Sequence, residues 1–231
     1  MELGIKPICV NDKEEKKIKH YGNNQKILLV GEGDFSFAAC LAKAFGSAVN
    51  MVATSLDSQE LLMIKHPTAN ANLEKLEGLG CTILHEVDAK TMGCDPRLTS
   101  KLFDRVVFNF PHAGFTFREH DAYQIELHQN VVKGFLRSAY EMLEKGGEVH
   151  ITHKTAYPFD KWEIEKLAEM VGLRLVAKEW FSRWDYPGYE NKRGDGDRSN
   201  DTFPVGECST FRFAKSRAFL GTKALLFNIL D

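Results

Sequence analysis

From Lys26 onward, short apolar runs alternate with helix-like stretches, and this alternation constrains the fold more than any other feature of the chain. The first run, Ile27–Val30, leads into Gly31-Glu32-Gly33-Asp34, and a helical stretch over 35–45 follows. The second, over 49–56, stops at Asp57 before helical material that breaks at His66-Pro67 and resumes over 70–79. The third, 81–87, ends at Asp88, and the fourth, 103–110, runs into Pro111-His112. A long amphipathic stretch over 119–145 then repeats Ile125, Val132, Phe135, Leu136 and Ala139 at helical spacing, with Gly146-Gly147 as its expected stop. A fifth run at 148–152 and a helix at 158–171 precede a sixth run at 173–181. The seventh, 209–214, returns beside the sixth after a long polar and aromatic excursion. Strands that alternate with helices require crossover connections, hence a mostly parallel sheet covered on both faces. The expected fold is therefore α/β with a seven-stranded sheet, helices on both faces and one antiparallel edge strand, where a loop replaces the last helix.

The 231 residues, 43% of them hydrophobic, suit one compact domain, divided here into a charged lead-in (1–25), a core (26–215) and a C-terminal extension (216–231). Thirty Lys+Arg against 32 Asp+Glu leave a net charge of -2, which excludes a histone-like or tail-driven binder of nucleic acid. No apolar run approaches the ~18 residues of a membrane span. Glu2, Lys6 and Asp12 interrupt the start, where a signal peptide carries an unbroken apolar core. Five scattered cysteines with no C-x-x-C spacing, and no paired histidines on a helix-like stretch, argue for reduced intracellular thiols and against a metal site. A soluble intracellular protein with no membrane or metal partner is expected.

In open α/β sheets ligands bind beyond the carboxyl ends of the strands, and the unusual residues of this chain fall there. Gly31-Glu32-Gly33-Asp34-Phe35-Ser36 offers a tight turn and backbone amides close to a ligand, although a plain strand-to-helix turn has the same composition. Asp57 follows Gly33 by 24 residues, the spacing of an acid that holds a ribose diol. Asp88 suits an adenine amino group or a helix N-cap equally. Both a nicotinamide dinucleotide and S-adenosylmethionine present an adenosine to such a site. Asn109-Phe110-Pro111-His112 separates them in part, because it resembles the N-P-P-[YF] motif of amino- and base-nitrogen methyltransferases.

Together with Ala53-Thr54-Ser55-Leu56-Asp57-Ser58 and Tyr186-Pro187-Gly188-Tyr189-Glu190-Asn191-Lys192-Arg193-Gly194, these segments resemble the large-subunit rRNA uridine-N3 methyltransferase-like family over residues 26–215. The resemblance implies a Rossmann-like class I methyltransferase domain, S-adenosylmethionine as cofactor, RNA of the large subunit as substrate, and a place in the nucleolus, nucleus or cytoplasm. It implicates Gly31, Glu32, Gly33, Asp34 and Asp57 in cofactor binding, and Phe35 and Ser36 of the same turn and Asp88 after the third run join them as candidates by position. Leu29 stands where an acid often precedes the first glycine, so Glu32 or Asp34 is expected to meet the methionine amino group.

Neutral uridine carries a proton on N3 that must leave before the nitrogen attacks. His112 is the candidate base, or equally a loop residue that stacks or hydrogen-bonds without taking a proton, with Asn109, Phe110 and Pro111 orienting the ring. An RNA base must be unstacked to be reached, and aromatic faces usually receive it. Phe115, Tyr186, Tyr189, Lys192 and Arg193 are the expected substrate contacts, the two tyrosines being read as exposed around the Pro187-Gly188 turn. His153 and Lys154 fit the substrate face or a solvated strand end, and Trp180 and Phe181 are expected to pack in the core. The excursion over 178–198 holds five basic and five acidic residues, so long-range attraction contributes little there. A nicotinamide-dependent oxidoreductase, or a non-catalytic RNA- or nucleotide-binding module, remains open on the residues alone.

Overall fold

The computed structural model describes residues 15–216. A small hairpin of β1 (Lys17–Ile18) and β2 (Tyr21–Gly22) opens it. The α/β body follows as β3 (Ile27–Val30), α1 (Ser36–Phe45), β4 (Met51–Thr54), α2 (Gln59–Lys65), α3 (Ala69–Gly78) and β5 (Thr82–Leu84). Its second half is β6 (Phe103–Asn109), α4 (Ala122–Glu141), β7 (Leu143–Lys154), α5 (Ile164–Met170), β8 (Leu173–Trp180) and β9 (Cys208–Lys215).

The seven-stranded sheet runs β5-β4-β3-β6-β7-β9-β8, with β3 and β6 adjacent at the centre. Six strands are parallel and β9 is antiparallel to both of its neighbours. That strand lies one place in from the rim, because the loop after β8 returns the chain between β8 and β7. Alternation along the strands divides the core into two layers. Leu28, Val30, Val106 and Phe108 face Phe135, Leu136 and Ala139 of α4. Ile27, Leu29 and Val107 face Phe37, Leu41, Leu62 and Leu76 of α1 to α3.

Local chemistry sets most boundaries. Gly46, at φ 71°, ends α1 and donates its N–H to Ala42 O. Ser58 caps α2 by accepting from Leu61 N. The break between α2 and α3 falls at His66-Pro67, since the residue before a proline is driven out of the helical region.

Several boundaries differ from the sequence expectation. Helix α4 ends at Glu141, and Gly146-Gly147 lie inside β7, not at a helix stop. A Cβ on Gly147 would stand 2.9 Å from Phe103 O, so this glycine lets β7 enter beside the irregularity between Phe103 and Arg105. The stretch at 158–171 is two pieces, a 3-10 turn at Phe159–Trp162 and α5. Residues 17–22 are not a mere lead-in. Tyr21 is buried, sits edge-on to Phe37, and its hydroxyl lies 3.1 Å from Nδ1 of His150. Cys40, Cys81 and Cys208 are buried free thiols and Cys94 is an exposed one. Cys9 and nearly all of the extension lie outside the described residues. No described helix is long and apolar enough to cross a membrane.

Candidate active site

Two cavities open at the carboxyl ends of β3 to β7. The larger, about 590 Å³, is walled by the segments after β3, β4, β5 and β6 and covered by Tyr189, Lys192 and Gly194 of the excursion. Gly31 is required there. It sits at φ +66°, and a Cβ would approach the Phe108 ring to 2.4 Å. Gly33 is under no such constraint, the nearest atom to a Cβ being His66 Nε2 at 3.5 Å.

The acids of this turn are shaped by the start of α1. Glu32 accepts the Ala38 N–H at 3.1 Å, and burial pushes its carboxyl up to about 8. Asp34 accepts the Ser36 N–H at 3.0 Å, and burial raises its pKa as well. Phe35 adopts a left-handed backbone (φ 59°) that sends its ring into the core, where it is fully buried. Ser36 Oγ meets the Glu190 backbone at 3.0–3.2 Å and so fastens the excursion to α1. Neither Phe35 nor Ser36 faces the cavity. Asp57 lines it and pairs with Lys65 at 2.8 Å. Asp88 lines it too, its Oδ1 accepting the Lys90 N–H at 2.8 Å in a turn and not at a helix N-cap.

The smaller cavity, about 330 Å³, shares Phe110, His112 and Lys192 with the first, so the two meet at the motif after β6. Phe110 holds a left-handed backbone (φ 50°) and donates its N–H to Thr152 O at 2.7 Å. Such a conformation in a non-glycine residue costs of order 1–3 kcal/mol and persists only where the surroundings enforce it. Beside it, on the wall of the larger cavity, both amide atoms of Asn109 are buried without a hydrogen-bond partner. Buried amides are normally satisfied, so this one is free to hold a ligand.

His112 is held at one ring nitrogen. Its Nδ1 accepts the Gly114 N–H at 3.0 Å, and its ring stacks on Phe115 at 5.1 Å. Burial lowers its pKa, and a neutral ring whose Nδ1 accepts that N–H carries its proton on Nε2. The far wall is an aromatic stack: His128 lies flat on Trp162 at 4.2 Å, and His153 tilts on the same indole at 4.3 Å. His128 accepts the Ala113 N–H at Nδ1, and His153 Nε2 faces Phe159 O at 3.3 Å. Burial holds both histidines down at about 4. Lys154 Nζ lies 4.7 Å from the Phe159 ring centre and 5.0 Å from that of Phe203.

Of the expected substrate residues, Phe115, His153, Lys154, Lys192 and Arg193 converge on the second cavity with Pro111 and His112. His153 is buried in its wall and is not a solvated strand end. Tyr186 is not exposed: it stacks on Phe181 at 5.6 Å and is 3% accessible. Tyr189 packs edge-on against Phe37 and borders the first cavity. Trp180 reverses its expectation at 65% accessible, because β8 is the rim strand and the Trp lies on its uncovered face, whereas Phe181 is buried as expected. His128, Phe159, Trp162 and Phe203 were not singled out in the sequence. His128 had a signal, since Gln124 and His128 continue the apolar stripe of Val132, Phe135 and Leu136 with polar residues.

A family model described as rRNA (uridine-N3-)-methyltransferase BTM5-like matches residues 28–193. An uncharacterized protein of Arabidopsis thaliana is 56% identical over 205 residues, covering 87% of this chain and 98% of its own length. The heavy metal-associated isoprenylated plant protein 41 of the same species is 50% identical over 204 residues, 88% of this chain but only 40% of that protein. The 25S rRNA (uridine(2634)-N(3))-methyltransferase of Saccharomyces cerevisiae is 23% identical over 83% of this chain and 72% of its own. Among solved structures, a methyltransferase from Pyrococcus furiosus superposes with a TM-score of 0.52 at 16% identity, over 83% of this chain and 75% of that one, a likeness of fold.

Proposed function

Because the chain belongs to the rRNA (uridine-N3-)-methyltransferase BTM5-like family, we propose that the larger cavity binds S-adenosylmethionine and the smaller one receives a uracil base of large-subunit rRNA for methylation at N3. The observation that carries this reading is the junction: two cavities meet at Phe110 and His112, with the unpartnered amide of Asn109 beside them. A methyl donor and a planar acceptor must approach in line, and much of the rate comes from holding them so.

The residues present fit the cofactor. Gly31 clears the floor, Asp57 offers the ribose a carboxylate oriented by Lys65, and Leu56 stands at the rim beside Asp88, where an adenine ring fits. Glu32 and Asp34 supply acid at the methionine end. When bound, S-adenosylmethionine supplies a methyl group activated by a positively charged sulfur. Glu32 meets the ammonium of the same molecule and ionises as it does so, because an adjacent cation favours the charged carboxylate that burial disfavours.

On the acceptor side, Asn109 and the Phe110 carbonyl direct the imide edge of the uracil, while the stack of His128, Trp162 and His153 gives the base a flat wall. Base-to-aromatic stacking contributes ~1–3 kcal/mol per base, enough to offset much of the cost of unstacking it from RNA. His112 is a positioning residue in this scheme: accepting the N3 proton would require giving up the Gly114 N–H, the contact that holds the loop after the motif. Arg193 in the wall of the second cavity offers its guanidinium to a phosphate, while Lys192 is paired with Glu190 at 2.6 Å. The catalytic unit is the 26–215 core together with the β1–β2 hairpin that packs into it.

The test uses in vitro transcribed large-subunit rRNA, which carries no modification, and methyl-labelled S-adenosylmethionine. Nucleoside mass spectrometry is expected to show label as N3-methyluridine. Label on a ribose, on carbon 5 or on cytidine would reject the assignment.

A further inference from the structure

The N3 proton needs an acceptor, and His112 does not supply it. Each titratable group around the second cavity has a defined position. Nδ1 of His112 accepts the Gly114 N–H, which leaves the proton of the neutral ring on Nε2 and no open lone pair. Those of His128 lie against the Ala113 N–H and the Gln124 amide. His153 presents one nitrogen to Phe159 O, and with an imidazolium pKa of about 4 it is too weak a base for an imide proton. Glu119 also lines the cavity, and a carboxylate is far too weak a base for an imide proton. Lys192 is held by Glu190 at 2.6 Å, and an Arg193 guanidinium does not deprotonate in proteins.

From this arrangement, resting on the uridine-N3 reading above, we infer that Lys154 is the general base that removes the N3 proton. It is the last residue of β7, half-buried in the wall of the second cavity with its amine between the Phe159 and Phe203 rings. An amine in an apolar cleft loses hydration of its charged form, which makes its neutral, proton-accepting form accessible. Burial lowers the Lys154 pKa, opposed by Glu119 and Cys208 and assisted by Arg193; His153, His112, His128 and Lys192 are the further titratable groups of the same cavity wall. An imide and a desolvated ammonium are acids of similar weakness, so proton transfer between them is nearly balanced, the condition under which a general base is effective.

The step balances. The N3–H bond breaks, its electron pair stays on the uracil imide and becomes the nucleophile, and the proton passes to Lys154 Nζ. The two ring faces then stabilise the resulting ammonium by a cation–π contact. Water takes the proton in the open site after product leaves.

The test compares wild type with Lys154→Arg and Lys154→Met on unmodified large-subunit rRNA, with S-adenosylhomocysteine affinity measured by calorimetry as the control for folding. The expected result is unchanged S-adenosylhomocysteine affinity, a loss of about 10²- to 10⁴-fold in kcat for both variants, and partial recovery of Lys154→Met by added methylamine. Wild-type kcat is expected to rise with pH until Lys154 titrates. A Lys154→Arg enzyme within about threefold of wild type would show that only positive charge is needed and would overturn the base role while leaving the N3 reading intact. Wild-type label at an atom other than N3 would overturn both.

Discussion

Glu32→Gln is expected to make the protein more stable and a worse cofactor binder. In the folded chain the Glu32 carboxyl is pushed from 4.5 to about 8 by burial, so the native state holds a proton that the unfolded chain releases. Stability contributed by this position is highest below the unfolded value and declines as pH rises from about 4.5 towards 8, where both states are ionised. At ~1.36 kcal/mol for each pKa unit, the penalty relative to a neutral side chain is about 3 kcal/mol at pH 7 and about 5 kcal/mol above pH 8. Glutamine is isosteric, keeps an oxygen for the Ala38 N–H, and removes the titration. Urea unfolding at pH 5, 7 and 8.5 therefore separates the two proteins progressively, the variant gaining with each step. S-adenosylhomocysteine affinity moves the other way, by roughly 10- to 100-fold, since a hydrogen bond to a charged group is worth ~1.5–3 kcal/mol. Wild-type binding at pH 7 also releases a proton as Glu32 ionises, seen as a dependence of the calorimetric heat on the buffer. A variant no more stable than wild type at pH 8.5, with the same affinity for S-adenosylhomocysteine, would refute the reasoning.

Other substitutions separate the cofactor turn, the core and the exposed surface. Gly31→Ala forces a side chain into φ +66° and against the Phe108 ring, costing about 1–2 kcal/mol for the backbone and about 1–3 kcal/mol for the overpacking; unfolding and S-adenosylhomocysteine titrations should both register it. Tyr186→Ala empties a buried aromatic site and should cost about 3–5 kcal/mol in urea unfolding. Trp184→Ala, at a residue 85% accessible, should stay within ~0.5 kcal/mol and leave methylation unchanged, so a large loss of RNA affinity there would relocate the substrate surface.

The α/β architecture was legible because the apolar runs and the helical stretches differ in period, and the glycines, acids and asparagine at their ends read directly as positions in one cleft. The His66-Pro67 break was legible because proline acts locally. What depended on tertiary neighbours was not. Gly146-Gly147 resembles a helix stop in one dimension, yet Gly147 is small because Phe103 O passes beside it. Trp180 ends an apolar run and Tyr186 precedes a Pro-Gly turn, yet their burial is the reverse of what those contexts suggest, since Tyr186 falls under the excursion and Trp180 on the open face of a rim strand. The wall of the second cavity brings together His128 from α4, His153 from β7 and Trp162 from a 3-10 turn, residues whose adjacency no local spacing reveals.

Whether the two cavities are a donor site and an acceptor site meeting at Phe110 and His112 is decided by a crystal structure of the protein with S-adenosylhomocysteine and a short uridine-bearing RNA from the methylated region. The nucleoside cofactor product is expected between Gly31 and Asp57, and one unstacked uracil against Trp162 with its N3 edge towards Asn109 and Lys154. A uracil stacked on Trp184, or S-adenosylhomocysteine lying against Trp162 and His153, would contradict it.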